Sequence, residues 1–489
     1  MTNEQTKKNL WFFPLGTVGR DMIYQLFTNF ILTYILFTRQ LTAGQLAAIT
    51  AIMVGARIFD AFNDPIMGNI IDRTRTKWGK FKPWLVIGII TTSFVVYAAF
   101  NTKLQGNAFV WFFAFIYFMY SITYTMHDIS FWGMVPSLGT DAHLRDQFTS
   151  RTNLFAGVGG TLASILIPMF TVGAMAIGGN TAYAYGKVAL IVCILAPAFL
   201  CFTIFGVKED RSYEKETPPP VSFKKIVNVV KNNDQLCWIA LIFLLQQVGQ
   251  NICLNGLGSM YIYFEFGYEG GLWSLFTTVG MAATAFLMIF YPAIAKKINR
   301  KPFMQKMLIV SGIGYGVMFL AGLLLPGGNL KFWIITFGYM FANFGFYAFY
   351  LIMMISIINT VEYNEWKNGE RDDAIIASVR PFITKLGSAI CVAIVSLTYI
   401  IFGVTQYSNQ ISALEQSANL GTITEADKLS QIATVLSQVQ PGQKAGMLAF
   451  ITVIPFIFMV ASYLLYKKKY ILDEDRYAQI CQEIEARNA

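Results

Sequence analysis

The sequence predicts an all-α membrane protein of twelve transmembrane helices arranged as two six-helix halves. Of its 489 residues 55% are hydrophobic and 13% charged, against about 25% charged in an average soluble domain, so there is too little polar surface to coat a water-soluble fold. Its apolar runs reach the roughly 20 residues a helix needs to cross the hydrocarbon core, whereas a transmembrane barrel would show short alternating strands. The 42 Phe, 24 Tyr and 9 Trp are spread along the whole chain, which excludes a single anchor on a soluble domain.

Walking the chain by apolar length gives spans near 11–38, 43–71, 83–100, 108–138, 152–177, 181–206, 235–265, 271–295, 304–326, 331–361, 374–404 and 446–466. The first begins within MTNEQTKKNLWFFPLG and carries Arg20 and Asp21; without a small-residue cleavage site it is expected to be a helix rather than a removed signal peptide. The loop at 73–82 holds Arg73, Arg75, Lys77, Lys80 and Lys82, and the loop at 296–306 holds Lys296, Lys297, Arg300, Lys301 and Lys306. The opposite loops hold few basic residues, among them Arg39, Lys103, Lys331, Lys428 and Lys444. The positive-inside rule therefore predicts two cytoplasmic termini and explains the net charge of +9 without nucleic acid.

Residues 207–234, with Pro218, Pro219 and Pro220 in a row, read as a cytoplasmic linker between an N-terminal bundle (1–206) and a C-terminal bundle (235–466); a cytoplasmic tail, 467–489, follows as a solvated helix or disordered segment. The polar stretch 406–444 reads as short amphipathic surface helices outside the membrane. Five of the six Cys fall in predicted spans and Cys481 in the tail, so neither a disulfide nor a metal framework is expected.

Charges inside spans are costly, about 2.5–3.5 kcal/mol each at a helix centre on insertion scales, and so point to function. In ARIFDAFNDPIMG, Asp60 and Asp64 share a helix face, with Arg57 one turn before and Asn63 beside them. Pro65 lacks an N–H and frees a nearby carbonyl, of Ala61 or Phe62. This oxygen-rich corner suits a hard cation, and Thr125 on the fourth span adds a hydroxyl. In YTMHDISFW, Asp128 and Trp132 set an acid beside an aromatic face, the pairing that binds sugar hydroxyls and stacks on a sugar ring. His127 reads as a bystander.

GNIIDRTR after the second span, with Gly68, Asp72, Arg73 and Arg75, resembles the loop motif of the major facilitator superfamily, and AKKINRKPF echoes it in the second half. More specifically, GRDM (19–22), RIFDAFNDPIMG (57–68), RTKWGKFKPW (75–84), YTMHDISFWGMVP (124–136), VEYNEWKNGER (361–371) and KLGSA (385–389) resemble the glycoside-pentoside-hexuronide:cation symporters, also called the melibiose permease-like family, over most of the chain.

The resemblance implies a sugar or glycoside importer coupled to a cation, with Na+ favoured and H+ or Li+ as substitutes, in the cell (inner) membrane. It implies a cation (metal) site of Asp60, Asn63, Asp64 and Thr125. It also implies a substrate site of Arg20, Asp21, Tyr124, Asp128, Trp132, Arg151, Asn153, Tyr350, Arg380 and Lys385. Asn153 stands where the melibiose permease has a sugar-contacting Arg, with Arg151 two residues earlier; Arg380-Pro381 is similar to the lactose-transporting branch, and an Arg there also suits an anionic hexuronide. A cytoplasmic gate is expected from Arg145, Asp146, Glu362, Glu365 and Arg371, one bond weaker because Asn359 replaces the usual acid. No enzyme activity, no cofactor beyond the coupling cation and no P-loop is expected, and a monomer in lipid is the expected working form. Rival readings are a lysolipid transporter and a membrane-embedded glycosyltransferase.

Overall fold

The computed structural model describes residues 3–138, 142–209, 223–295 and 297–488. Among the described residues regular structure is helical throughout. In chain order the helices are α1 (Asn3–Thr38), α2 (Ala43–Arg73), α3 (Lys82–Asn101), α4 (Gly106–Leu138), α5 (Ala142–Thr171), α6 (Thr181–Gly206), α7 (Phe223–Asn232), α8 (Asp234–Ile252) and α9 (Gly258–Phe266). They continue as α10 (Gly270–Ala295), α11 (Arg300–Leu324), α12 (Asn329–Ile358), α13 (Thr360–Asn368), α14 (Asp373–Ile401), α15 (Val404–Asn419), α16 (Glu425–Ser437), α17 (Pro441–Lys469) and α18 (Glu474–Asn488).

Eleven helical stretches among the described residues are long and apolar enough to cross a membrane. The remaining expected span is α1, a 36-residue helix whose apolar run is diluted by Gln25, Thr28, Asn29 and Thr33. The Pro218–Pro220 part of the expected linker lies outside the described residues.

The helices gather into two compact units. One comprises 1–220, 267–275 and 399–439; the other comprises 221–266, 276–398 and 440–489. In the first, α1 packs against both α5 and α6, and α4 packs against α2 and α3. Small residues permit this closeness: a Cβ on Gly19 would lie 2.6 Å from the Ala196 Cα, and one on Gly159 would lie 2.2 Å from the Val18 carbonyl. Arg20 therefore sits on a helix seated closely against its neighbours.

The polar stretch after α14 forms α15 and α16, and α15 lies on α1 and α6. Its Glu415 is buried. The carboxylate accepts from Asn180 Nδ2 (3.1 Å), Thr181 N (2.9 Å), Thr181 Oγ1 (3.1 Å) and Tyr268 OH (3.2 Å), and pairs with the buried Lys428 at 3.3 Å. Asn180 also caps α6 through Tyr183 N (3.0 Å). The expected surface helices thus carry an inward-facing polar anchor.

In the second unit α8 packs against α12 and α17, and α11 against α12 and α17. Between α8 and α9 the chain makes a wide turn over Cys253–Leu257, with Gly256 at φ 105°, so this span is broken. The tail helix α18 follows a docked segment rather than a solvated one: Arg300 binds Glu474 (2.9 Å) and the Leu472 carbonyl (3.1 Å), Lys301 binds Asp473 (3.2 Å), and Trp366 Nε1 donates to Glu483 (2.5 Å). Lys331 and Lys444 converge on Glu265, the latter at 3.3 Å.

Candidate functional site

The first unit carries two acidic clusters strung along α4. In the lower one, Asp60 and Asp64 of α2 meet Ser121 and Thr125 of α4, each pair one helical turn apart. Ser121 Oγ donates to Asp60, Thr125 Oγ1 donates to Asp64 at 3.0 Å, and Asn63 Nδ2 donates to the Ser121 carbonyl at 3.3 Å. Arg57 Nη1 lies 3.5 Å from Asp60. Asp60, Asn63 and Thr125 are buried, while Asp64 is half-buried. Two carboxylates against one guanidinium leave a formal charge of −1, surrounded by hydroxyl and amide oxygens. This corner is therefore an oxygen set of low charge, the kind that a hard monovalent cation neutralises.

Ser121 escaped the sequence reading. Serine is common in spans, where its hydroxyl can bond its own helix, and only its position one turn before Thr125 signals the role.

In the upper cluster Arg20 Nη1 binds Asp128 at 3.0 Å and Nη2 binds Asp21 at 3.2 Å. The guanidinium is 3% exposed and lies 4.8 Å from the Phe131 ring centre and 5.5 Å from that of Trp132. Such a buried cation is tolerable because both carboxylates and two aromatic faces surround it. The sum is again −1, and the carboxylates remain partly accessible at 22% for Asp21 and 33% for Asp128. Tyr124 stacks on Tyr120 with ring centres 5.4 Å apart and packs against Tyr24, also at 5.4 Å, adding an aromatic wall. His127 is fully buried with its backbone 2.7 Å from where a Gly88 Cβ would lie, so it fills the α3–α4 contact.

The structure does not bring every expected residue into this cluster. Arg151 lies 5.1 Å over the Trp11 ring and donates to the Leu10 carbonyl at 3.5 Å, about 14 Å of helix from Arg20. Asn153 is exposed on α5.

In the second unit Arg380 Nη2 donates to Tyr350 OH at 3.0 Å, and Tyr347 stacks on Tyr350 at 5.6 Å. Lys385 is half-buried five residues further along α14. Asp372 is engaged by Lys225 (2.9 Å) and Asp373 by Arg371 (3.1 Å). Of the expected gate, Arg371 gathers Glu362 (3.1 Å) and Glu365 (2.9 Å) within the second unit, while Arg145 and Asp146 are exposed on α5 in the first. Asn359, oriented with its amide oxygen toward Arg300, accepts from Nη1 at 2.9 Å.

Residues 12–474 match the family model described as MFS/sugar transport protein. The chain belongs to this family. Membership makes it a multi-pass membrane transporter, not an enzyme, and agrees with the symporter family that its motifs resemble. Among curated relatives, the raffinose carrier protein of Pediococcus pentosaceus is 29% identical over 97% of this chain and 70% of its own length. The lactose permease of Lactobacillus helveticus is 29% identical over 98% of this chain and 72% of its own length. The isoprimeverose transporter of Lactiplantibacillus pentosus is 26% identical over 76% of this chain and 77% of its own length. Among solved structures, a bacterial homologue of the human lysosomal transporter Spinster, inward-facing and unoccupied, superposes with a TM-score of 0.63 at 11% identity, covering 96% of this chain and 99% of its own. The E. coli xylose transporter XylE gives 0.55 at 12% identity, covering 97% and 99%. These structural likenesses concern the fold.

Proposed function

We propose that the protein imports a sugar or glycoside by symport with a cation, Na+ in preference to H+ or Li+, by alternating access. Its place is the cell (inner) membrane, with both termini cytoplasmic. The observation that carries this reading is the pair of clusters on α4, each with a formal charge of −1 and separated by the single turn from Thr125 to Asp128. A cation at Asp60, Asn63, Asp64, Ser121 and Thr125 offsets the lower charge and fixes the α2–α4 register. It thereby holds Asp128 ionised and oriented for paired sugar hydroxyls, with Trp132 and Tyr124 as the apolar wall. By linkage the sugar strengthens cation binding by the same factor. The named substrates of the relatives, raffinose, lactose and isoprimeverose, support the glycoside class.

The test is uptake of labelled lactose, raffinose, methyl-xyloside and a glucuronide into membrane vesicles at fixed membrane potential, with and without an inward Na+ gradient. Uptake of one of these driven by the gradient is expected. Uptake that follows pH alone would leave H+ as the coupling ion, and transport of a lysolipid in place of every sugar would overturn the substrate class.

A further inference from the structure

Where α7, α13 and the turn into α14 meet, the second unit forms a cavity of about 640 Å³, lined from α7 by Lys225, Asn228, Val229 and Asn232 and from α13 by Asn364 and Asn368. Positions 225, 228, 229 and 232 recur at helical spacing, so one face of α7 makes that wall. Its only apolar side chain there is Val229. Gly369, at φ 76°, ends α13 in the left-handed region and turns the chain, which brings Glu370 and Asp372 to the rim. Asn233 caps α8 through Leu236 N (2.9 Å) and donates to the Thr360 carbonyl (2.9 Å), fastening the end of α7 to α13.

The charged groups of the lining are already spent on one another. Lys225 Nζ lies 2.9 Å from Asp372 and 3.5 Å from Glu370, a bridge from α7 to the turn. The buried Asn364 is spent as well: its Nδ2 donates to the Glu370 carbonyl (2.7 Å) and to Asp372 (3.3 Å), and its Oδ1 accepts from Asn368 Nδ2 (2.9 Å). What remains is neutral. Among the described residues Asn228 and Asn232 have no hydrogen-bond partner, Asn368 keeps its Oδ1, and all three are exposed. A charged ligand would compete with Lys225 or with the two carboxylates, whereas a neutral polyhydroxyl ligand uses each amide as it stands. One hydroxyl gives its proton to an Oδ1 and a neighbour accepts one from an Nδ2. The lining residues offer no aromatic ring for a sugar to stack on, so affinity rests on a few neutral hydrogen bonds and is on the order of millimolar.

We propose that this cavity is a low-affinity carbohydrate site made by the second unit alone, filled when imported sugar accumulates on the side proposed to be cytoplasmic. The inference rests on the sugar-symport reading for the identity of its ligand. Asn228 and Asn232 are its contacts. Asn364 is a positioning residue, because it fixes Asn368 and the 370–372 turn.

The test is saturation-transfer NMR on the purified full-length protein in detergent, with lactose, raffinose and methyl-xyloside each titrated through the millimolar range. The protein carries Asp128→Asn, which is expected to silence the sugar site on α4. A saturable millimolar component should remain for at least one of the three sugars. Asn228→Leu or Asn232→Leu, added to Asp128→Asn, should weaken that component about ten-fold, the size of one neutral hydrogen bond, and the two together should remove it. Introduced into the parent instead, the same pair should leave the tighter site's affinity unchanged. Thermal midpoints are recorded throughout, and a variant with a lowered midpoint is replaced by Asn228→Ala or Asn232→Ala, for which the same loss is required. A parent that binds sugar, joined to an Asp128→Asn protein without a millimolar component or with one that the α7 substitutions leave unchanged, would overturn this assignment and spare the symport reading. A parent that binds none of the three sugars would defeat the symport reading, and this assignment with it.

Discussion

The two units carry different polar chemistry inside their spans. In the first, the candidate ligand groups are charged and already paired: Arg20 spans Asp21 and Asp128, and Arg57 faces Asp60. In the second, α14 carries Arg380, which bonds Tyr350, and the half-buried Lys385, while the mid-span polar groups of α8 are neutral amides that bond one another. Charged groups give strong, ion-sensitive interactions at a high desolvation cost, while neutral amides give weaker ones that discriminate by geometry. The division predicts that coupling resides in the charged clusters of the first unit.

The largest effect is expected at Asp128. Asp128→Asn removes charge-assisted bonds of roughly 1.5–3 kcal/mol each and should weaken sugar binding about 100-fold or more. Calorimetry with each ligand alone should still detect Na+. If Asp128→Asn bound sugar as the parent does, the sugar site would not lie on α4.

Asp64→Asn sharpens the comparison from the other side. It should remove Na+ stimulation of sugar binding, leaving sugar affinity at the level the parent shows without Na+. Ser121→Ala should reduce Na+ affinity about ten-fold, because Asp60 loses its hydroxyl donor. A normal Na+ titration of both variants would remove the cation from this corner.

Smaller effects lie away from either strip. Arg371 is half exposed while it gathers Glu362, Glu365 and Asp373, so solvent screens its contribution to stability. Arg371→Ala is expected to slow net uptake several-fold with equilibrium sugar affinity within two-fold of the parent; equal losses in both would mark a folding residue instead.

The smallest effect concerns acid. Burial pushes the Glu474 carboxyl upward, but bonds from the Arg300 backbone and guanidinium outweigh it and hold the group below its ordinary value of 4.5. A depressed carboxyl stabilises above its unfolded value and loses that contribution as pH falls through the folded one. Docking of α18 should therefore be constant at neutral pH and weaken only below about pH 4.5. Limited proteolysis of the tail across pH reads this out, and cleavage that is already fast at pH 7 would show that the Arg300 contact does not hold it.

Much of the first unit's candidate site was legible because intramembrane charge is rare. Asp60, Asp64 and Asp128 announced themselves by cost, and helical spacing placed Asn63 and Thr125 beside them. Ser121 was silent because a span serine carries no comparable penalty. The amide strip on α8 was missed for a related reason: neutral side chains lower mean hydropathy only slightly, and the left-handed Gly256 that breaks the span leaves no mark in an apolar run. Arg151 lies beside Trp11 rather than Arg20, because residue type alone does not tell which end of a long helix an arginine serves. Glu415 and Lys428 fall in the stretch read as amphipathic surface helices, and an amphipathic pattern shows that a face is buried but not that an ion pair is buried on it.

That last pair bears on how the molecule is made. Asn180 and Thr181 wait for a carboxylate encoded 235 and 234 residues later, and the first unit also takes 267–275 and 399–439 from the far part of the chain. Synthesis of six helices therefore does not complete it: the start of α6 keeps an unmatched set of donors until α15 has left the ribosome. Of two gene fragments split between the six-helix halves, the second would encode the whole of its own unit, whereas the first would be unfinished and would have to borrow its missing cover from the second.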